Sequence, residues 1–246
     1  MTARVCVLGS LGRMGRAIQD VATSQANLTV SAAIDKDDDM AASFRASDVY
    51  IDFTTPAATL KAANLARAQK LPAVIGTTGL GPDEEAAVAA LAQVAPIVVA
   101  ANFSLGVNLV LGLVKQAAQV LGPEWDAEIV ETHHHNKRDA PSGTALAIAR
   151  AIAAGHGVDY DSVKRHTRDG DVGPRPRGEI GVSTVRGGDV IGEHVAYFFG
   201  AAERIEIAHR ATSRTIFAAG ALRAAAWVVG KPPGRYDMQH VLGFSS

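Results

Sequence analysis

The stretch "GSLGRMG", Gly9 to Gly15, stands directly after the apolar run "RVCV" and before a helical pattern, and this order of strand, turn and helix restricts the fold. Bare backbone at Gly9, Gly12 and Gly15 lets a tight strand-to-helix turn approach a pyrophosphate, whose charge the helix N-terminus then offsets. The next ninety residues extend the constraint. "RVCVLG" and "LTVSAAID" read as strands around the first helix, and "DVYIDF", "LPAVIG" and "APIVVAA" follow, separated by helices opened at Pro56 and near Gly81. Such alternation means βαβ units, hence a parallel sheet with helices on both faces, a Rossmann-like doubly wound α/β domain. Between Asp35 and Asp48 stands only "KDDDMAASFRAS", too short and broken for a full crossover helix, so a loop or a single turn is expected there.

Asp35 closes the second strand, where a carboxylate would bind the ribose hydroxyls of a dinucleotide. The neighbouring Lys36, helped by Arg13, would accept a 2′-phosphate; as a solvated surface charge it would do neither. NADH or NADPH is therefore the expected cofactor, with NADH at least competitive. Its site would be formed by Gly9, Ser10, Leu11, Gly12, Arg13, Met14 and Gly15 with Asp35 and Lys36. In such sheets ligands lie at the carboxyl ends of the strands, which makes Gly76, Thr77 and Thr78 with Ala100, Ala101, Asn102 and Phe103 the candidates for a nicotinamide pocket.

After a helix near 105–121 the pattern changes. "DAEIVETHHH" reads as a strand, 144–154 as a helix, and "RHTRDGDVGPRPRG" as an arginine-rich loop. "EIGVSTVR" and "DVIGEHVAYFF", meeting at Gly187-Gly188, read as a hairpin, and "RIEIAHR" adds a strand. This predicts a second α+β domain with a mixed, largely antiparallel sheet over residues 105–213, inserted into a dinucleotide-binding domain of 1–104 completed by 214–246. The last helix, 213–229, has no further strand to serve and is expected to return to the first domain.

The net charge of -1 gives no attraction to nucleic acid or an anionic membrane, leaving a small molecule as the expected partner. The single cysteine, Cys6, excludes an internal disulfide and reads as a core residue in a reducing compartment. No charged leader opens the chain, so a cytoplasmic location is expected. The uncharged stretch Val94 to Val114 approaches spanning length, but Asn102, Ser104 and Asn108 interrupt it, and a buried strand followed by a buried helix accounts for it.

The run "ETHHHNKRDAPSGTAL", Glu131 to Leu146, concentrates the chemistry. On a strand His133 and His135 would face one way and His134 the other, so the three cannot share one ion; with no HExxH and one distant cysteine, no metal is expected. Ser142, Gly143 and Thr144 open a helix whose free N–H groups can hold a carboxylate, with Lys137 and His134 adding donors. This describes a site for a small acidic substrate, where His133 could exchange a proton near neutral pH. Asp139 and Pro141 read as turn residues, and His135 and Asn136 as structural.

With both motifs placed, the chain resembles the dihydrodipicolinate reductase family nearly end to end. "GRMGR", "IDFT", "VIGTTG" and "AANFSLGVN" resemble its nucleotide-binding stretches, "ETHHHNKRDAPSGTAL" its signature, and "RGGDVIGEH" with "ERIEIAHRATSR" its second-domain sheet. The resemblance implies NAD(P)H-dependent reduction of a cyclic dicarboxylate and a homotetramer; because cofactor and substrate would then lie on different domains, domain closure is expected, about hinges near Ser104 and 211–214. It further implies that His133 is a proton donor or acceptor, Lys137 a second proton donor, and His134, Gly143 and Thr144 substrate-binding positions. Thr132 departs from the family's usual alanine, and Thr55 stands where many members carry an arginine near the adenine. Another two-domain NAD(P) oxidoreductase would share the glycine loop without needing "HHHNKRDAPSGT"; a redox sensor would need a basic helix pair or docking tail, which the sequence does not display.

Overall fold

The computed structural model describes residues 2–244; the outermost expected domain limits, 1 and 246, lie outside that range. The chain divides into two compact units, one running to Leu105 and resuming at Thr215, the other Gly106–Arg214. In chain order the first unit holds β1 (Ala3–Leu8), α1 (Arg13–Ala22), β2 (Leu28–Ile34), α2 (Met40–Arg45), β3 (Val49–Asp52), α3 (Pro56–Gln69), β4 (Ala73–Ile75), α4 (Pro82–Ala92) and β5 (Pro96–Val99). There follow α5 (Leu105–Leu121), β6 (Asp126–His133), α6 (Gly143–His156), α7 (Tyr160–Val163), β7 (Lys164–Arg165), β8 (Ile180–Arg186), β9 (Gly192–Phe199) and β10 (Arg204–Ala211). The chain then returns to the first unit with α8 (Thr215–Val228), β11 (Gly234–Tyr236) and α9 (Met238–Leu242).

The first unit is a parallel sheet in the order β11-β5-β4-β3-β1-β2. Successive strand residues face opposite sides, and both sides are apolar because both are covered. Val5, Val7, Ile51 and Val98 pack with Ile18 of α1 and with Ala218, Ala221, Leu222 and Val228 of α8. Cys6, Tyr50, Ile75 and Ile97 pack with Ala62, Ala63 and Ala66 of α3 and Leu91 of α4. Close approach of α8 depends on Gly220, where a Cβ would overlap the Phe103 carbonyl oxygen.

Two expectations for this unit need correction. The segment after Asp35 forms α2, which is six residues long rather than a single turn. Asp39 caps it by accepting the Ala42 N–H at 3.0 Å, and the fully buried Phe44 anchors it by stacking on Tyr50 at 4.8 Å. The last long helix is followed by a further strand: β11 pairs in parallel with β5, Arg235 opposite Ile97.

The second unit is a mixed sheet in the order β10-β9-β6-β8-β7. The hairpin expected at Gly187-Gly188 does not form. Its two strands lie on opposite sides of β6, β8 parallel to it and β9 antiparallel, while the true hairpin joins β9 to β10. Residues 187–191 instead cross the end of β6 as a strap, held by Gly187 N–H to His133 O at 3.0 Å, His135 N–H to Gly188 O at 3.2 Å and His134 N–H to Val190 O at 2.7 Å. One face of the sheet is covered: Ile129, Ala196 and Phe198 pack with Val114 of α5 and Ile148 and Ile152 of α6. Gly155 permits that helix pair to close, since a Cβ there would sit 2.5 Å from the Lys115 carbonyl oxygen. The arginine-rich loop is tied to the sheet by Arg168 and Arg175, which pair with Glu128, Glu179 and Asp126. No helix among the described residues is long and apolar enough to cross a membrane.

Candidate active site

In the first unit the turn from β1 to α1 borders a cavity of about 490 Å³ at the carboxyl ends of the strands. Gly9 occupies the left-handed region (φ 66°), and a Cβ there would stand 2.8 Å from Thr54 Cγ2. At Gly15 a Cβ would lie 2.2 Å from the Gly9 carbonyl oxygen, so the helix can start against the turn only without a side chain. Gly12 caps α1 with no side-chain acceptor, and no acid stands in the first turn. The helix N-terminus is thus left with its positive partial charge for an anion. Asp35 reaches back to the turn, its carboxylate accepting the Leu11 N–H at 3.3 Å and the Lys36 N–H at 3.0 Å. Gly9, Leu11, Gly12, Asp35 and Lys36 all line the cavity, so the side-chain-free cradle and the carboxylate fit a dinucleotide.

The other expected cofactor residues are placed differently. Ser10 is buried and its N–H donates to Ile34 O, Met14 packs into the core, and Arg13 is exposed. Thr77 is committed to the buried Asp52, its hydroxyl donating to Oδ1 at 3.1 Å, where the Thr54 hydroxyl also donates, while the Thr59 hydroxyl donates to Oδ2 at 2.7 Å. Gly76 makes room for the Phe53 ring, and Thr78 is exposed beside it. Ala100 is half-buried and Ala101 exposed; Asn102 Oδ1 accepts the Ser104 N–H at 2.8 Å; Phe103 is a core residue set edge-on to Phe53 at 5.2 Å. Sequence reasoning took in Asp52 and Phe53 only as part of "IDFT", without a role of their own, and missed Met40, which lines the cavity.

In the second unit β6 ends at His133, so the three histidines do not alternate along a strand as expected. His134 and His135 lie in the turn beyond it, and His135 Nδ1 bonds the Gly188 carbonyl at 2.9 Å. The organising residue is Glu131, wholly buried on the same face as His133. Its carboxylate accepts both Nη groups of Arg186 at 2.9 Å, the Ser142 N–H at 3.0 Å and the Thr184 hydroxyl at 3.2 Å, and lies 2.5 Å from His133 Nδ1. Burial pushes the Glu131 carboxyl up, but the bonds from Arg186, His133 and Ser142 outweigh it and hold the group below the ordinary carboxylate range. Burial lowers the His133 pKa below 6.5, with Glu131 opposing.

Ser142 caps α6 by accepting the Ala145 N–H at 3.1 Å, and its hydroxyl bonds His194 Nε2 at 3.1 Å. His194 is buried edge-on to His133 at 5.2 Å, and burial followed by that neighbour lowers its pKa to about 4. Lys137 pairs with Asp139 at 2.9 Å, and the Asp139 carbonyl accepts an Arg186 Nη at 2.7 Å, so Asp139 does more than shape the turn. Open space surrounds Gly143, next to Thr144 in the first turn of α6. The fold therefore gathers His133, Lys137, Ser142, Gly143 and Thr144 around the end of β6. Sequence reasoning overlooked Glu131, Thr184, Arg186 and His194; the signal was a carboxylate two residues before His133 on a strand face otherwise built of Ala127 and Ile129.

Family models described as dihydrodipicolinate reductase N-terminus and C-terminus match residues 3–103 and 106–242. The chain belongs to the dihydrodipicolinate reductase family. Within it, the 4-hydroxy-tetrahydrodipicolinate reductase of Geobacter metallireducens is 45% identical, the match covering 98% of both chains. That of Anaeromyxobacter dehalogenans is 46% identical, covering 98% of this chain and 97% of its own. Among solved structures, a dipicolinate-bound dihydrodipicolinate reductase from Paenisporosarcina sp. TG-14 superposes with a TM-score of 0.81 at 25% identity, covering 96% of this chain and 98% of its own.

Proposed function

We propose that the protein reduces 4-hydroxy-tetrahydrodipicolinate at C4 with loss of the 4-hydroxyl as water, giving tetrahydrodipicolinate for lysine and diaminopimelate synthesis. NADH or NADPH, when bound, supplies the hydride. The observation that carries this reading is the Glu131–His133 pair at the end of β6, tied to the N-cap of α6 through the Ser142 N–H, on a chain related over 98% of its length to a reductase of that name. Gly9 to Gly15 and Asp35 hold the dinucleotide, Lys36 accepts a 2′-phosphate, and Gly76 to Thr78 with Ala100 to Phe103 shape the nicotinamide end. Phe103 and Thr77 act there through the backbone they fix, since their side chains are committed to the core and to Asp52.

The substrate carboxylates are held by Lys137, His134 and the N–H groups of Gly143 and Thr144, each charge-assisted bond contributing about 1.5–3 kcal/mol. Ser142 sets that helix start in place, because its hydroxyl is already bonded to Ala145 and His194. His133 or Lys137 delivers the proton that completes the reduced ring.

The protein works as a cytoplasmic homotetramer. Val185 and Phe199, exposed on the second sheet, and Tyr197 stacked on Phe199 at 5.5 Å support assembly through that face. Absorbance loss of NADH and NADPH, with substrate made in situ by dihydrodipicolinate synthase from pyruvate and aspartate semialdehyde, tests the activity. Synthase-dependent oxidation that collapses in His133→Gln is expected; no oxidation by wild type with either nucleotide refutes the reading.

A further inference from the structure

We infer that Glu131 is a positioning residue that keeps His133 in its Nδ1–H tautomer, so that Nε2 is the atom through which His133 exchanges its proton. The inference rests on the reading of His133 as a proton-exchanging group and deepens it. Glu131 cannot turn away from the ring. Arg186 grips both carboxylate oxygens, Ser142 N–H and Thr184 Oγ1 donate to Oε1, and only Oε2 remains facing His133 Nδ1. With Arg186 paired to it in this way the carboxylate is ionised and can only accept, so the proton of a neutral His133 must sit on Nδ1.

The opposite edge of the ring gives an independent indication. Gly192 opens β9 beside it, and a Cβ there would stand 2.9 Å from His133 Nε2. Because Glu131 holds Nδ1, the ring could not swing away from such a side chain. A glycine therefore keeps the edge that carries Nε2 accessible. The proton then moves as follows: the C=C π pair of the enamine left by hydride addition takes the Nε2 proton of protonated His133, a C–H bond forms at the carbon next to C4 as the Nε2–H bond breaks and the enamine becomes an imine, and the neutral ring that remains still donates Nδ1–H to Glu131.

Replacing the carboxylate by its amide reverses the logic, because an amide N–H can donate to Nδ1 and favour the Nε2–H tautomer. In a protease histidine held by an aspartate the same exchange lowers kcat by roughly 10⁴. The charged and titratable groups facing His133 are Glu131 on β6, Arg186 on β8, His194 on β9 and Lys137 in the turn. Of these Glu131 alone raises the His133 pKa, so its loss also moves the alkaline limb of the pH–rate profile, where the proton donor is lost, to lower pH.

The test combines nitrogen-15 spectra of histidine-labelled protein with kinetics. His133, one of 8 histidines, is assigned by its absence in His133→Gln. The wild type is expected to show Nδ1–H. Glu131→Gln should show Nε2–H, lose about 100-fold or more in kcat, keep its KM for NADH within about twofold, and shift its alkaline limb to lower pH. Glu131→Asp, which retains an acceptor, should keep the tautomer and recover part of kcat. Gly192→Ala, which leaves Glu131 in place, should keep the tautomer yet lose about 10-fold or more in kcat; this arm decides if Glu131→Gln does not fold. An Nε2–H wild type, or full kcat in Glu131→Gln or Gly192→Ala, overturns the inference. Should the wild type not reduce the substrate, the function reading fails while the spectra still decide the tautomer.

Discussion

Lowering the pH should destabilise the second unit through one buried ring, His194. In the unfolded chain a histidine titrates near 6.5, whereas burial, followed by the nearby His133, takes His194 down to about 4. Its Nδ1 is buried with no partner among the described residues, so a proton added there would be an unpaired donor. Between those two values the unfolded state binds the proton and the folded state does not, so stability rises with pH and falls on acidification. At about 1.36 kcal/mol per pH unit the whole effect is about 3 kcal/mol, of which about 2 kcal/mol develops between pH 7 and 5. His194→Gln removes it. One tryptophan lies in each unit, Trp125 in the second and Trp227 in the first, so a Trp227→Phe background lets Trp125 fluorescence follow urea unfolding of the second unit. Wild type should lose about 2 kcal/mol more than His194→Gln over that pH interval. Equal losses within about 0.5 kcal/mol would refute the argument, since a ring that titrates normally in the fold links no protons to unfolding.

Gly15→Ala forces a Cβ against the Gly9 carbonyl and should cost about 1–3 kcal/mol and abolish NADH binding, read by thermal melting and fluorescence titration; unaltered NADH affinity would remove the glycine turn from the site. Arg186→Met leaves the buried Glu131 carboxylate without its guanidinium and should cost about 3–5 kcal/mol in urea unfolding at pH 7. Because the folded Glu131 pKa is depressed, this contribution is full above its unfolded value of about 4.3 and disappears as pH falls through the lower folded value. A penalty that does not shrink in acid would show that charge is not its source. Lys36→Ala should raise the KM for NADPH by about 10-fold or more while leaving NADH within about twofold; equal effects on the two would make Lys36 an ordinary surface charge.

The parallel half of the fold was legible because local signals agree there. Buried runs such as "RVCVL" and the turn glycines each speak for the same βαβ order, and the cap and Phe44 anchor of α2 were the only local feature read too weakly. The second sheet was less legible for a physical reason. Gly187-Gly188 is a good hairpin signal, but β6, formed some fifty residues earlier, takes the place between β8 and β9, and no periodicity reports such a non-local insertion. The strand β11, "GRY", is too short to show any period and exists through its pairing with β5. At the candidate site, His133, Lys137 and Ser142 to Thr144 were readable as one contiguous run. Arg186 and His194 were not, because the backbone register of β6 with its two neighbours brings them to Glu131. The acid itself could have been singled out, since a carboxylate on a buried strand face requires a cation.

The division of the chain has a consequence for its synthesis. Gly106–Arg214 is continuous, so once it has left the ribosome the second unit has every residue of its sheet and core. The first unit does not: Ala218, Ala221, Leu222 and Val228 on α8 cover one side of its sheet and β11 supplies an edge, and both are translated after the second unit. The inserted unit can therefore mature first. Until α8 arrives, Val5, Val7, Ile51 and Val98 lack that cover, so the nascent first unit keeps this apolar sheet face open for as long as the second unit is being made.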